Sequence, residues 1–154
     1  MQALIERAAQ ALRTSRKTIA LTGAGISAES GIPTFRDPGG LWDKYDPEEY
    51  ATIDAFRRDP AKVWQMMRDF TELKTAKPNP GHIALAQLEH MGFLGCIITQ
   101  NIDNLHQDGG SQDVIEFHGN MRQVVCQSCQ KLLPMSEISL NNLPPYCPCG
   151  GVFK

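Results

Sequence analysis

Four of the five cysteines stand at positions 126, 129, 147 and 149, as a Cys-x-x-Cys pair and a Cys-Pro-Cys pair with 17 residues between them. No other feature of the sequence constrains folding as tightly. Two close thiolate pairs joined by a loop are what a tetrahedral four-sulfur zinc site requires, because each pair spans one edge of the tetrahedron. Cys126, Cys129, Cys147 and Cys149 are therefore the candidate metal ligands, and residues 119–154 the candidate zinc-binding module. A redox dithiol is the alternative use of such thiols. The second pair has one intervening residue where the first has two, which tightens its loop and leaves the ligand count at four. With no His or carboxylate joining the set, the pattern predicts a closed, structural site. Thiols crowded in this way belong in a reducing compartment, and the cytoplasm is the expected location. Cys96, inside the apolar run LGCIIT, reads as a small buried hydrophobe.

Charge and hydropathy narrow the remaining classes. Against 17 Asp and Glu there are 15 Lys and Arg, a formal charge of -2, so no strong field favours nucleic acid or an anionic membrane surface. The opening MQALIERAAQALRTSRK carries Glu6, Arg7, Arg13, Arg16 and Lys17, which fits neither a signal peptide nor a membrane span. Partners are therefore to be sought in specific sites, with no nucleic acid and no membrane among them.

Residues 2–14 place Leu4, Ile5, Ala8, Ala11 and Leu12 on one helical face, and KTIALT then reads as a short buried strand. Asp46-Pro47, Asp59-Pro60 and Asn79-Pro80 each pair an N-cap residue with Pro at the first helical position. Short helices are thus expected from 46 to 78, followed by a helix over GHIALAQLEHM and a strand over LGCIIT. Beyond them QNIDNLHQDGG reads as a loop, DVIEFHG as a strand, and RQVVCQSC as the entry to the cysteine module.

Three stretches carry chemistry. Gly23, Gly25 and Ala28 follow the first strand at the spacing G-x-G-x-x-A, where glycines let backbone N–H groups approach a pyrophosphate. A standard dinucleotide fold would offer an acidic residue about 20 positions later at the end of a second strand, whereas that region here reads as loop and helix, and a ligand-free Gly-rich turn remains the alternative. TQNIDNLH follows the second strand, and Gln100, Asn101 and Asp103 suit a carboxamide and sugar hydroxyls; an Asx-rich turn that caps a helix is the alternative. His118 ends DVIEFH before Gly119, a position for a general base near neutral pH. His82 and His90 fall in a helix with no partner pattern, and His106 reads as helix packing.

Taken together, these motifs resemble the sirtuins, NAD-dependent protein lysine deacylases. The resemblance lies in GAGISAESGIPTFRD, GLW at 40–42, TQNID at 99–103, FHG at 117–119 and the four cysteines, in order from about residue 15 to the end of the chain. It implies that Gly23, Ala24, Gly25, Ala28 and Glu29 cradle the NAD pyrophosphate, that Phe35 and Arg36 lie beside the nicotinamide ribose, and that Trp42 joins the cofactor-binding set. Gln100 is implied in ribose binding, Asn101, Ile102 and Asp103 in lining the nicotinamide pocket, and His118 as the catalytic base. NAD is then a co-substrate, acylated lysine side chains of proteins are the partners, and zinc is structural. Family members that prefer succinyl or malonyl lysine carry a Tyr and, three residues on, an Arg in a helix after a Trp. Aligned on Trp64, Met67 and Phe70 stand there, acyl-pocket candidates that imply neutral acyl groups; that both are simply core residues of the helix is the alternative.

The expected fold class is α/β: a Rossmann-like parallel sheet, incomplete in this chain, with a helical insertion and a small four-cysteine zinc module. Residues 1–35 and 76–118 form the NAD-binding part, 36–75 the insertion and 119–154 the zinc module. Sirtuins continue into a substrate-binding segment and a second half of the sheet with a Gly-Thr-Ser stretch, and neither follows here, so the resemblance implies truncation at the C-terminus. The rivals are protein mono-ADP-ribosyl transfer from NAD and a catalytically inactive zinc-stabilised fragment.

Overall fold

The computed structural model of the chain describes residues 1–34, 38, 40–71 and 76–154, with the side chains of Leu41, Phe70 and Thr71 excepted. In chain order the elements are α1 (Gln2–Thr14), β1 (Ile19–Thr22), a 3-10 helix (Ala24–Ser30), α2 (Leu41–Lys44), α3 (Pro47–Tyr50), α4 (Ile53–Arg58) and α5 (Pro60–Thr71). They continue with α6 (Pro80–His90), β2 (Cys96–Thr99), α7 (Leu105–Asp108), β3 (Val114–Glu116), β4 (Gln123–Val125) and β5 (Leu132–Pro134). Two compact units result, Met1–Ile32 with Ala76–Gly119, and Pro33–Thr75 with Asn120–Lys154. No helix among the described residues is long and apolar enough to cross a membrane.

The first unit is built on a parallel sheet of order β1-β2-β3. Its register aligns Ile19 with Cys96 and Leu21 with Ile98, and Ile98 in turn with Ile115. Because side chains alternate across a strand, Ile97 and Thr99 fall on the opposite face, where both are buried together with Ala86 and Leu94. The face carrying Ile19, Leu21, Ile115 and Phe117 is exposed, Leu21 and Phe117 at 70%. KTIALT does form a strand, but the expectation that it is buried is corrected: Ile19 and Leu21 are exposed and Ala20 and Thr22 only half-buried, and Cys96, expected as a buried hydrophobe, is half-buried. Helix α1 likewise has no buried residue. Two caps position the sheet's connections. Asn79 starts α6 by accepting from Gly81 N, with Pro80 in the first turn, and the Glu89 carboxylate accepts from Gln112 N and Asp113 N at the entry to β3.

In the second unit the short helices and the cysteine module share one core. Tyr45, Phe56, Val63, Trp64 and Met66 from the helices pack with Val124, Met135 and Phe153. The helices restart where the sequence places its caps: Asp46 accepts from Glu48 N at 2.9 Å and Asp59 from Lys62 N at 3.0 Å. Thr52 supplies a further cap at α4, accepting from Ala55 N. Asp69 on α5 accepts from the Tyr45 hydroxyl and from Lys44 Nζ, tying α2 to α5. β4 and β5 form an antiparallel pair, and the last residues join β4 through reciprocal bonds between Val125 and Lys154.

Trp64 joins the two halves of this core directly. It is 3% exposed, and its indole N–H donates to the Phe153 carbonyl at 2.7 Å. Trp64→Phe leaves that buried carbonyl unpaired and opens a cavity, so it is expected to cost about 1–3 kcal/mol from the hydrogen bond alone. Denaturant titration with metal present measures it; an unchanged midpoint would contradict this role.

Candidate functional site

β1 and β2 end side by side, Thr22 aligned with Thr99, so the polar turns that follow them leave one edge of the sheet, the carboxyl edge where ligands bind in open α/β folds. Gln100 N continues the pairing by donating to the Thr22 carbonyl at 3.0 Å. The first turn runs from Gly23 into the 3-10 helix, which closes on Gly31 at φ 85°, a left-handed cap suited to glycine. A Cβ added at Gly23 or Gly25 would meet no protein atom within 4 Å, so the space beside this backbone is open to a ligand. Ala28 and Glu29 are exposed on the same short helix, and Ala24 is half-buried.

The second turn is tied to the first by side chains. Asn101 Nδ2 donates to the Gly23 carbonyl at 3.2 Å and to Ser27 Oγ at 3.1 Å, while Asn101 N donates to Thr99 Oγ1. Asp103 accepts the Ser27 hydroxyl at 2.7 Å and, through its other oxygen, the N–H of Leu105 at the start of α7. Ile102 is half-buried and Gln100 exposed. β3 brings the third strand end to the same edge: Phe117 N donates to the Thr99 carbonyl at 2.9 Å, and Gly119 turns back to Glu116 at φ 81°. His118 tops that turn, exposed, with its ring edge-on to Phe117 at 5.2 Å. An exposed imidazole there is chemically able to take a proton from a bound molecule.

Sequence reasoning missed what stands behind these turns. His82 and His106 are 0% and 1% exposed, with ring centroids 4.9 Å apart. His82 Nδ1 accepts from Asn79 N at 3.3 Å, so its proton sits on Nε2, which faces Ser27 Oγ at 3.4 Å. His106 Nε2 lies 2.8 Å from Thr22 Oγ1, and its Nδ1 is buried with no partner among the described residues. A buried unpaired N–H is rarer than an unpaired acceptor, which assigns the His106 proton to Nε2 as well, donating to Thr22. The expectation that His106 is mere packing is thus incomplete, and His82 has a partner pattern after all. The available signal was His82 at the third position of the helix opened by Asn79-Pro80, a capping box with His in place of Glu or Gln.

Other expected residues lie elsewhere. Trp42 on α2 and Met67 on α5 are partly buried against the core of the second unit. Phe35 and Arg36 fall outside the described residues, as does the Phe70 side chain. The four cysteines come together: all four sulfurs lie within 4.8 Å of one another, with Cys126–Cys149 at 3.5 Å and Cys129–Cys147 at 3.7 Å. A tetrahedron with zinc–sulfur bonds of about 2.3 Å has edges of about 3.8 Å, so the cluster fits that ion. The N–H of Cys129, directed at Cys126 Sγ, helps pull that thiol down to about 6, favouring the thiolate a metal needs. Gly151 is required beside it, since a Cβ there would sit 2.6 Å from Cys126 Sγ and 2.5 Å from Ser128 Oγ.

Burial holds both His82 and His106 below the ordinary histidine value, with Asp103 opposing in each case and His82 adding to the lowering at His106. The unfolded chain therefore takes up these protons first. Their contribution to stability is full above about pH 6.5 and is lost as pH falls from there toward the folded values. Melting temperature is expected to drop from pH 7 to 5, with a shallower slope in His106→Gln; equal slopes would contradict the assignment.

The Sir2 family model matches residues 23–154. The NAD-dependent protein deacetylase of Sulfurisphaera tokodaii is 53% identical over 148 residues, covering 93% of this chain and 59% of the relative. The NAD-dependent protein deacylase of Aeropyrum pernix is 49% identical over 156 residues, covering 100% and 63%. The chain thus spans about three-fifths of the length of the curated relatives it matches. Among solved structures, a Sir2 homologue–NAD complex is similar with a TM-score of 0.85 at 45% identity, covering 97% of this chain and 59% of that one. A Sir2–p53 peptide–NAD+ complex is similar at 0.86 and 36% identity, covering 97% and 62%. With the family model matching residues 23–154, a span that holds the Gly-rich turn, the Asn101–Asp103 turn and the four clustered cysteines, this chain belongs to the Sir2 family.

Proposed function

We propose that this chain serves NAD-dependent protein lysine deacylation, consuming NAD and an acylated lysine to give nicotinamide, O-acyl-ADP-ribose and free lysine. The observation that carries this reading is the meeting, at one sheet edge, of an open glycine turn, the Asn101–Asp103 turn and the exposed His118. Similarity to a homologue solved with NAD supports the choice of ligand. Gly23, Ala24, Gly25, Ala28 and Glu29 hold the pyrophosphate, where backbone N–H groups replace its hydration. Gln100 binds ribose, while Asn101, Ile102 and Asp103 border the nicotinamide, and Phe35, Arg36 and Trp42 belong to the same binding set. When bound, NAD supplies an ADP-ribosyl group whose bond to nicotinamide can be broken. His118 takes the proton of a ribose hydroxyl as general base. The clustered thiols fit a reducing compartment, and we place the protein in the cytoplasm.

The expected assay result is nicotinamide release that requires both NAD and an acetyl-lysine peptide, reduced about 10²–10⁴-fold in His118→Ala. Near-normal turnover in that variant sinks the base assignment. Label from NAD retained on protein favours ADP-ribosyl transfer instead. Met67 and Phe70, as acyl-pocket residues, offer a carboxylate no cation, so acetyl is expected over succinyl by on the order of tenfold or more in kcat/KM. A succinyl preference that vanishes in Arg68→Ala overturns that specificity.

We further assign one structural zinc to Cys126, Cys129, Cys147 and Cys149. One equivalent of zinc is expected in the purified protein, with chelation unfolding residues 119–154, since binding energy is folding energy in such modules. Gly151→Ala is expected to weaken zinc retention about tenfold or more, because the knuckle must shift to admit a methyl group. A metal-free chain with native melting behaviour would refute the assignment.

A further inference from the structure

The paired imidazoles bracket the glycine turn. His82 reaches Ser27, inside the 3-10 helix, and His106 reaches Thr22, the residue immediately before Gly23. Thr22 is the last residue of β1, paired with Thr99, and its carbonyl is held by the neighbouring strand's exit, through Gln100 N. Its hydroxyl bond crosses 84 residues of sequence to α7, an element whose own start is fixed by Asp103. Any displacement of α7 is therefore passed to both turns at once: to the second through Asp103, and to the first through His106 and Thr22.

We propose that His106 is a positioning residue for the Gly23–Gly25 turn, acting through the Thr22 hydroxyl. Its ring touches none of the atoms assigned to ligand binding. Its Nε2–H lies 2.8 Å from Thr22 Oγ1, and the buried His82 ring packs edge-on against the imidazole with centroids 4.9 Å apart. With Nδ1 unpartnered among the described residues, the ring has one polar attachment, and that attachment ends at the cradle. The orientation of the Gly23 peptide is thus set from both sides, by Asn101 Nδ2 on its carbonyl and by His106 on the residue before it. In its ligand consequence the inference rests on the NAD reading above; in its structural part it does not.

The test is a double-mutant cycle with Thr22→Val, His106→Gln and the double variant of the full chain, read two ways. Hydrogen exchange of the unliganded protein is expected to speed up at Gly23, Ala24 and Gly25 by about 5–10-fold in either single variant, and by no more in the double. Amides of α5 should keep their rates. Titration with NAD is expected to show a Kd raised by about fivefold or more in each single variant, again without further loss in the double. Thr22→Val is nearly isosteric and lies on the far side of the bond, so its own exchange and NAD readouts test the bond even where His106→Gln is poorly tolerated. Additive effects, or exchange raised equally across the unit with no focus on residues 23–25, overturn the proposal. Selective exchange without any NAD binding by the native chain upholds the positioning and removes the NAD reading instead.

Discussion

The hydroxyl of Ser27 is the point on which the first unit turns. It is fully buried, and a hydroxyl can donate once and accept twice. All three capacities are used: it donates to Asp103 and accepts from Asn101 and His82. An unpaired polar group in that position would cost more than any single one of these bonds contributes, so the segment that holds Ser27 and the three that supply its partners must arrive together. The 3-10 helix, the turn after β2, the start of α7 and the start of α6 are locked into one geometry by this requirement. The residues that offer chemistry to a ligand are consequently also those that hold the frame.

A different constraint orders the second unit. Its cysteine module, residues 119–154, is short, and small modules of that kind rely on metal or on a neighbour. Here a ligand set that fits a metal and a packing neighbour are both present. The four sulfurs converge to tetrahedral spacing, and Trp64 packs its indole against the module while donating to Phe153. The short helices gain from the same contact, since none of α2, α3 or α4 is long enough to be stable alone.

The parallel sheet has one exposed apolar face among the described residues. Parallel strands are ordinarily covered on both faces, yet Ile19, Leu21, Ile115 and Phe117 are exposed here on a common face. The other side buries Ile97 and Thr99 of the sheet, His82 of α6 and His106 of α7. From that side the two turns of the carboxyl edge are held, through His106 on Thr22 and His82 on Ser27.

Much of this was legible in the chain itself, because it depended on local chemistry. Caps at Asp46, Asp59 and Asn79 work through their own backbone within a few residues, and the spacing of four cysteines specifies a ligand set before any fold exists. The glycines of the first turn and the strands on either side of α6 were readable for the same reason, as was the placing of His118 at a strand end. What sequence could not supply were the bonds closed over long separations. Thr22 with His106, Ser27 with His82 and Trp64 with Phe153 are 84, 55 and 89 residues apart. Each exists because folding removed two polar groups from water and left them only one another. Local pattern determined which residues this protein has to work with; burial, which no local pattern encodes, decided which of its histidines became parts of the site's frame.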